Sequence, residues 1–212
     1  MSLDIPSYDA SELEQIGRSF LEHHSTTPST LPVDIELLIE IAGYDIRPIH
    51  NLRKQHGVLG VPVYYHNITA ICIDQEHLDT QPEVVRFTEA EELSHILLHR
   101  TVFEDCRSLE DATKRYMSID RQSHWVMDRN ARYLAGILLM PFDTLLHDLT
   151  RTNQTIDLAR VASYPDLLEQ LYRDLAARYR VTPRAMHYRI GNAAFFNQRQ
   201  ELEEKFLKSR HR

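Results

Sequence analysis

Glycine is scarce in this chain, with six among 212 residues. No glycine-rich loop of the kind that cradles phosphate is present, so nucleotide-binding loops of that type are excluded. Cysteine is scarcer: Cys72 and Cys106 lie far apart and form no C-x-x-C pair. That pattern fits a reduced setting better than a disulfide framework. Long apolar runs are missing, since none approaches the roughly 20 residues needed to span a bilayer. No basic stretch followed by an apolar one opens the chain, so no secretion signal is read there. The expectation is a soluble, cytoplasmic protein with no membrane partner. Basic charge is also short, with 24 Lys/Arg against 31 Asp/Glu and a net of −7. A dedicated nucleic-acid binder would show the opposite balance. The deficit is uneven: residues 151–212 carry twelve Lys/Arg and seven Asp/Glu, so the C-terminal third is mildly basic and the body acidic.

What is present is enough for a core: 42% of the residues are hydrophobic, sufficient for one globular domain with a small appended unit. Leu13, Ile16, Phe20 and Leu21 form a helical stripe, with Ser11 as N-cap and Glu14 completing a capping box. A Ser/Thr/Pro linker follows at 25–30. Ile35 to Ala42 reads as a helix closed by Gly43, and Tyr44 to Ile49 as a short strand. Gly57–Tyr65 and Ala70–Asp74 are rich in β-formers and predict a hairpin. A buried helix follows over 83–99. Residues 101–123 show no clear periodicity and read as an irregular excursion, with a helical turn near 109–116. A second core helix spans 124–139 and stops before Pro141. Asp166 to Arg178 and Arg184 to Asn192 predict two helices separated by a break, with Thr182 as N-cap and Pro183 at the first helical position.

The helix over 83–99 carries the sharpest signal. A zinc-protease helix reads His-Glu-x-x-His: the histidines, four apart, share one face and grip the metal, and the glutamate activates its water. Here the three positions are Glu91, Glu92 and His95. The fuller run, Arg86-Phe87-Thr88-x-Ala90-x-Glu92-Leu93-x-His95-x-Leu97-Leu98-His99, resembles the motif helix of the ImmA/IrrE family of zinc metallopeptidases. Two further stretches are similar to that family in the same order. They are Ala131-x-x-Leu134-Ala135-x-x-Leu138-Leu139-Met140-Pro141 and Leu175-Ala176-x-x-Tyr179-x-Val181-Thr182-x-x-Ala185-Met186-x-x-Arg189-Ile190. The hairpin and the Asp34 to Ala42 helix also sit where the family has its own.

The resemblance implies an α+β, zincin-like metallopeptidase fold. A small antiparallel sheet would pack on the core helices, with helix–turn–helix-like helices at the C-terminus. It divides the chain into an N-terminal helix and linker over 1–30, a metallopeptidase-like domain over 31–150 and a helical subdomain over 151–212. The departures fall on the chemistry. The family's first histidine ligand is Glu91 here, and its glycine is Ser94. Counting back from Met140-Pro141 puts its glutamate ligand at Asn130. Asp128 is the nearest substitute carboxylate, two residues and about 200° of helix away.

Three readings follow. A regulatory protein with a degenerate site, holding no metal or a weakly bound divalent ion, would act by binding a protein partner such as a helix–turn–helix repressor. An active endopeptidase would use Glu91 and His95 as metal ligands and Glu92 as general base, with zinc or a harder ion such as Mn²⁺. A DNA-binding regulator would read a groove through Arg184, His187 and Arg189, although this segment's apolar positions favour helix packing.

Overall fold

The computed structural model describes residues 5–24, 31–65, 68–78, 80–155 and 164–191. Two long helices form its centre. Helix α5 (Pro82–His99) starts with Pro82 in its first turn, where a missing N–H costs nothing. Helix α7 (Arg121–Leu139) starts at Asp120, whose carboxylate accepts the Ser123 N–H at 3.0 Å. The two pack along their length. Ala90, Leu93 and Ile96 from α5, with Ala131, Leu134, Ala135 and Leu138 from α7, are all buried. The alanines permit close approach of the backbones, and the leucines fill the layers between.

Around this pair lie α1 (Ala10–His23), α2 (Ile35–Ile41), α3 (Leu52–His56), α4 (Gln75–Leu78), α6 (Leu109–Ser118), α8 (Phe142–Thr155), α9 (Pro165–Tyr179) and α10 (Pro183–Ile190). Strands β1 (Asp45–Ile49), β2 (Gly60–Tyr65) and β3 (Ile68–Asp74) form one sheet in the order β1-β3-β2. The hairpin β2–β3 is antiparallel as expected, and β1 joins β3 in parallel. A parallel partner needs a crossover, which α3 and β2 supply. Residues of the expected hairpin turn at 66 and 67, and those after 191, lie outside the described residues.

Three boundaries differ from the sequence reading. The cap of α1 is Asp9, boxed with Glu12, rather than Ser11 with Glu14. Glu14 is thereby free to turn inward, where it is 6% exposed. Residues 109–118 form a full helix capped by Ser108, because a Ser N-cap and two acidic residues in the first turn stabilise a segment with little apolar periodicity. The amphipathic segment after Pro141, which the sequence pattern carries as a helix over 142–148, continues as α8 to Thr155.

Long-range polar ties join the layers. Arg86 of the motif helix donates to the Val33 carbonyl at 2.7 Å and to the Arg180 carbonyl at 3.3 Å. Asp148 on α8 accepts from Arg178 at 2.6 Å and from the Tyr179 hydroxyl at 3.0 Å, both on α9. Thr182 caps α10 as the sequence predicts.

Helix α1 lies on α7 through Gly17. A Cβ there would stand 2.5 Å from Ile137 Cγ2 and 3.1 Å from Leu134 Cδ1. Both side chains are fully packed, and Ile137 is stiff at its branched carbon. The substitution Gly17→Ala should therefore destabilise the fold by about 1–2 kcal/mol, because overpacking outweighs the helix-propensity gain. Urea unfolding measures it, and an unchanged midpoint would refute the close packing of α1.

Glu89 is the odd charge of the core. It is 1% exposed, and neither carboxyl oxygen has a hydrogen-bond partner. Burial, reinforced by Glu36, pushes its pKa up to about 7. The folded state thus holds a proton that the unfolded chain releases near pH 4.5. The contribution of Glu89 to stability is fullest below that pH and falls as pH rises towards 7, by on the order of 3 kcal/mol. Glu89→Gln should flatten this part of the pH profile of thermal unfolding; an unchanged slope between pH 5 and 7 would count against it.

Candidate active-site cleft

The motif helix, its partner and the sheet edge enclose a cavity of about 600 Å³. From α5 come Thr88, Glu91, Glu92 and His95; from α7 come His124, Asp128 and Arg132. The spacing explains the set: 91 and 95 lie one turn apart, and 124, 128 and 132 form an i, i+4, i+8 stripe on one face. Strand β2 forms the opposite rim, and Tyr116 of α6 leans over the opening. Gly60 is required at this rim. A Cβ at Gly60 would lie 2.5 Å from Thr88 Cγ2 and 2.9 Å from Glu92 Oε1.

Of the residues singled out from sequence, Glu91, Glu92, His95 and Asp128 converge here and Asn130 does not. Asn130 is 1% exposed in the core. Its Oδ1 accepts from Arg129 at 3.2 Å, and its Nδ2 has no partner. The 200° that separates 128 from 130 is real, but it turns Asn130 away from the cleft and Asp128 into it. The position reached by counting, Asn130, lies in the core, and the substitute Asp128 lines the cleft. Asp128 Oδ1 stands 3.7 Å from His95 Nε2.

The sequence reading passed over Arg132. Its Nε donates to Glu91 Oε1 at 2.9 Å, across the cleft from α7 to α5. His124 and Tyr116 were also missed, as they lie in or beside a stretch without periodicity.

The electrostatics are those of a crowded site with buried walls. Burial, with the Glu91 and Asp128 charges beside it, pushes Glu92 up to about 8, so it is mostly protonated at neutral pH. Burial also raises Glu91, against the pull of Arg132. Burial lowers His95 to about 4 and His99 to about 3, so both are neutral imidazoles. Their Nδ1 atoms are 3.2 Å apart, so one donates to the other. Ser94, where the motif usually has glycine, is fully buried, and its hydroxyl donates to the Ala90 carbonyl at 2.6 Å.

Catalytic zinc takes three protein ligands and an open position. The residues present do not fit that requirement. Glu91 is paired with a guanidinium, and a positive charge beside the first-ligand position opposes a divalent cation. Among the described residues, no group of three or more His, Cys, Asp or Glu side chains gathers closely enough to hold a metal.

The basic residues proposed for a groove-reading helix are split. Arg184 and His187 are exposed on α10, with Arg184 over the Tyr188 ring at 5.6 Å and His187 against Tyr172 at 5.0 Å. Arg189 is 4% exposed and is held by Glu14 and the Met140 carbonyl. It is a packing residue, turned inward by the period that buries Met186 and Ile190.

An α+β domain with a motif helix paired to a second core helix beneath a small mixed sheet defines a zincin-like metallopeptidase fold. The sequence matches the family of IrrE N-terminal-like domains, the M78 peptidases, over residues 57–191, and the chain belongs to that family. A solved structure of a Mycobacterium tuberculosis transcriptional regulator is similar, with a TM-score of 0.47 at 16% identity. The match covers 85% of this chain and 47% of that one, so the chain spans about half the regulator's length. A comparison with curated proteins returns no match. Among the described residues, no helix is long and apolar enough to cross a membrane.

Proposed function

We propose that this chain is an ImmA/IrrE-like regulatory protein that acts by binding a protein partner rather than by zinc-dependent peptide hydrolysis. The observation that carries this reading is the Arg132–Glu91 ion pair, which engages the side chain at the first-ligand position with a cation from the facing helix. Family membership supports a regulatory role, since the resemblance implies proteins that cleave or antagonise helix–turn–helix repressors. The inward turn of Arg189 counts against the DNA-binding alternative.

Metal analysis of protein purified without chelator tests this reading. Sub-stoichiometric metal, and no rise in melting temperature with added Zn²⁺ or Mn²⁺, are expected. One tightly held zinc per chain would overturn it and restore the peptidase alternative, with Glu91 and His95 as ligands and Glu92 as base. A salt-dependent DNA shift lost in Arg184→Ala would favour the third reading.

A further inference from the structure

The cleft retains groups that nothing in the fold satisfies. Glu92 is only 8% exposed and faces the cavity, yet no hydrogen bond among the described residues reaches its carboxyl. Asp128 on the facing wall is half exposed, and its nearest basic group, His95 Nε2, stands at 3.7 Å, beyond hydrogen-bond range. The one guanidinium in the cleft, Arg132, is bonded to Glu91. The cavity therefore carries, on two walls, carboxyl groups that no donor among the described residues reaches.

The mouth is different. Val58, Val61 and Tyr116 line it while 41%, 37% and 52% exposed. Exposed aromatic and aliphatic side chains such as Val58, Val61 and Tyr116 lining a cavity mark an interaction site.

Strand β2 also limits how a partner can sit. The bond from Asp74 N–H to the Leu59 carbonyl and the β2–β3 register turn the peptide groups of Gly60, Pro62 and Tyr64 to the outer edge. Pro62 has no N–H to offer, so a strand added there would lack a bond at its centre. Recognition falls on side chains instead.

We propose that the cleft receives a basic side chain of the partner, a lysine or arginine flanked by apolar residues, with its cationic head between Glu92 and Asp128 and its stem against the apolar mouth. This rests on the partner-binding reading above and names the partner's chemistry. A cationic head supplies the donors that both carboxyl groups lack, and the aliphatic stem of a basic residue suits an apolar entrance. An acidic side chain would meet Asp128 and be rejected.

The test uses the full chain, labelled with ¹⁵N, titrated with N-acetyl-lysine-N-methylamide and separately with the norleucine analogue, which has the stem without the charge. Amide shifts are expected at 58–64, 88–95 and 124–132, with the lysine probe binding about tenfold more tightly. Asp128→Asn, a partly exposed isosteric change, should reduce the lysine probe to the norleucine level without altering the melting temperature. Equal affinity of the two probes, or a lysine affinity indifferent to Asp128→Asn, would overturn the proposal. Metal content of the same sample separates the two failures. Stoichiometric zinc overturns the regulatory reading, whereas metal-free protein that is blind to lysine overturns only the basic-residue proposal.

Discussion

Replacing Glu14 by alanine is expected to cost about 3–5 kcal/mol of stability, the largest loss of any single change considered for this chain. Glu14 and Arg189 are separated by 175 positions and meet in the interior, 6% and 4% exposed. Both carboxylate oxygens accept from the guanidinium, and Arg189 Nε donates to the Met140 carbonyl at 3.1 Å. Taking two charges out of water is expensive, and the bidentate geometry repays it only while both partners are present. Removing the glutamate leaves a guanidinium that cannot lose its proton and cannot reach water. The matched double replacement Glu14→Met with Arg189→Met should recover most of the loss, since two apolar side chains of similar length need no counter-charge. Urea unfolding of the three variants checks this. A loss below about 1 kcal/mol for Glu14→Ala, the value of an exposed pair, would show that α1 does not close over α10.

The same pair shows what the sequence could and could not disclose. The two core helices, the hairpin, the Thr182 cap and the Pro141 stop were legible, because each is set by local periodicity or by a backbone restriction. Glu14 was read as a capping residue because Ser11 stands three positions before it, while the true cap is Asp9. Only a contact across 175 positions shows that Glu14 faces inward. Arg189 was read as groove-facing from charge alone, against a period that also places it beside Met186 and Ile190. Helix α6 was obscured because its signal lies in caps and first-turn charge rather than in an apolar stripe.

The site was legible to a similar degree. Glu91, Glu92 and His95 were placed by a motif with fixed spacing, and the structure brings them to one cleft. The second helix carries no such internal ruler. Its register came from counting, and 128 and 130 lie on opposite faces, so a two-position choice exchanges cleft for core. Arg132 is invisible to a search for ligands because it is a cation. It lies one turn after Asp128 on the same face, and its significance comes only from the carboxylate it meets across the cleft.

That geometry defines how a metal site could be rebuilt, and the expected gain is large. The triple variant Glu91→His, Asp128→Glu and Arg132→Asn removes the competing cation and supplies two histidines and a carboxylate around one face of the cleft. It is expected to bind zinc with one ion per chain. Zinc at about a thousand times its dissociation constant would then stabilise the fold by about 4 kcal/mol, read as a rise in melting temperature that chelator reverses. The alternative pair Glu91→His with Asn130→Glu should do the opposite. Position 130 is 1% exposed and outside the cleft, so the new carboxylate would be buried without a partner and the fold would lose stability without gaining metal. Glu91→His with Asp128→Glu, retaining Arg132, isolates the guanidinium: zinc affinity well below that of the triple variant is expected, because the freed cation still faces the site. Equal zinc binding with and without Arg132 would remove the ion pair as the reason this cleft lacks a metal-binding set, and would leave the missing histidine as the whole cause.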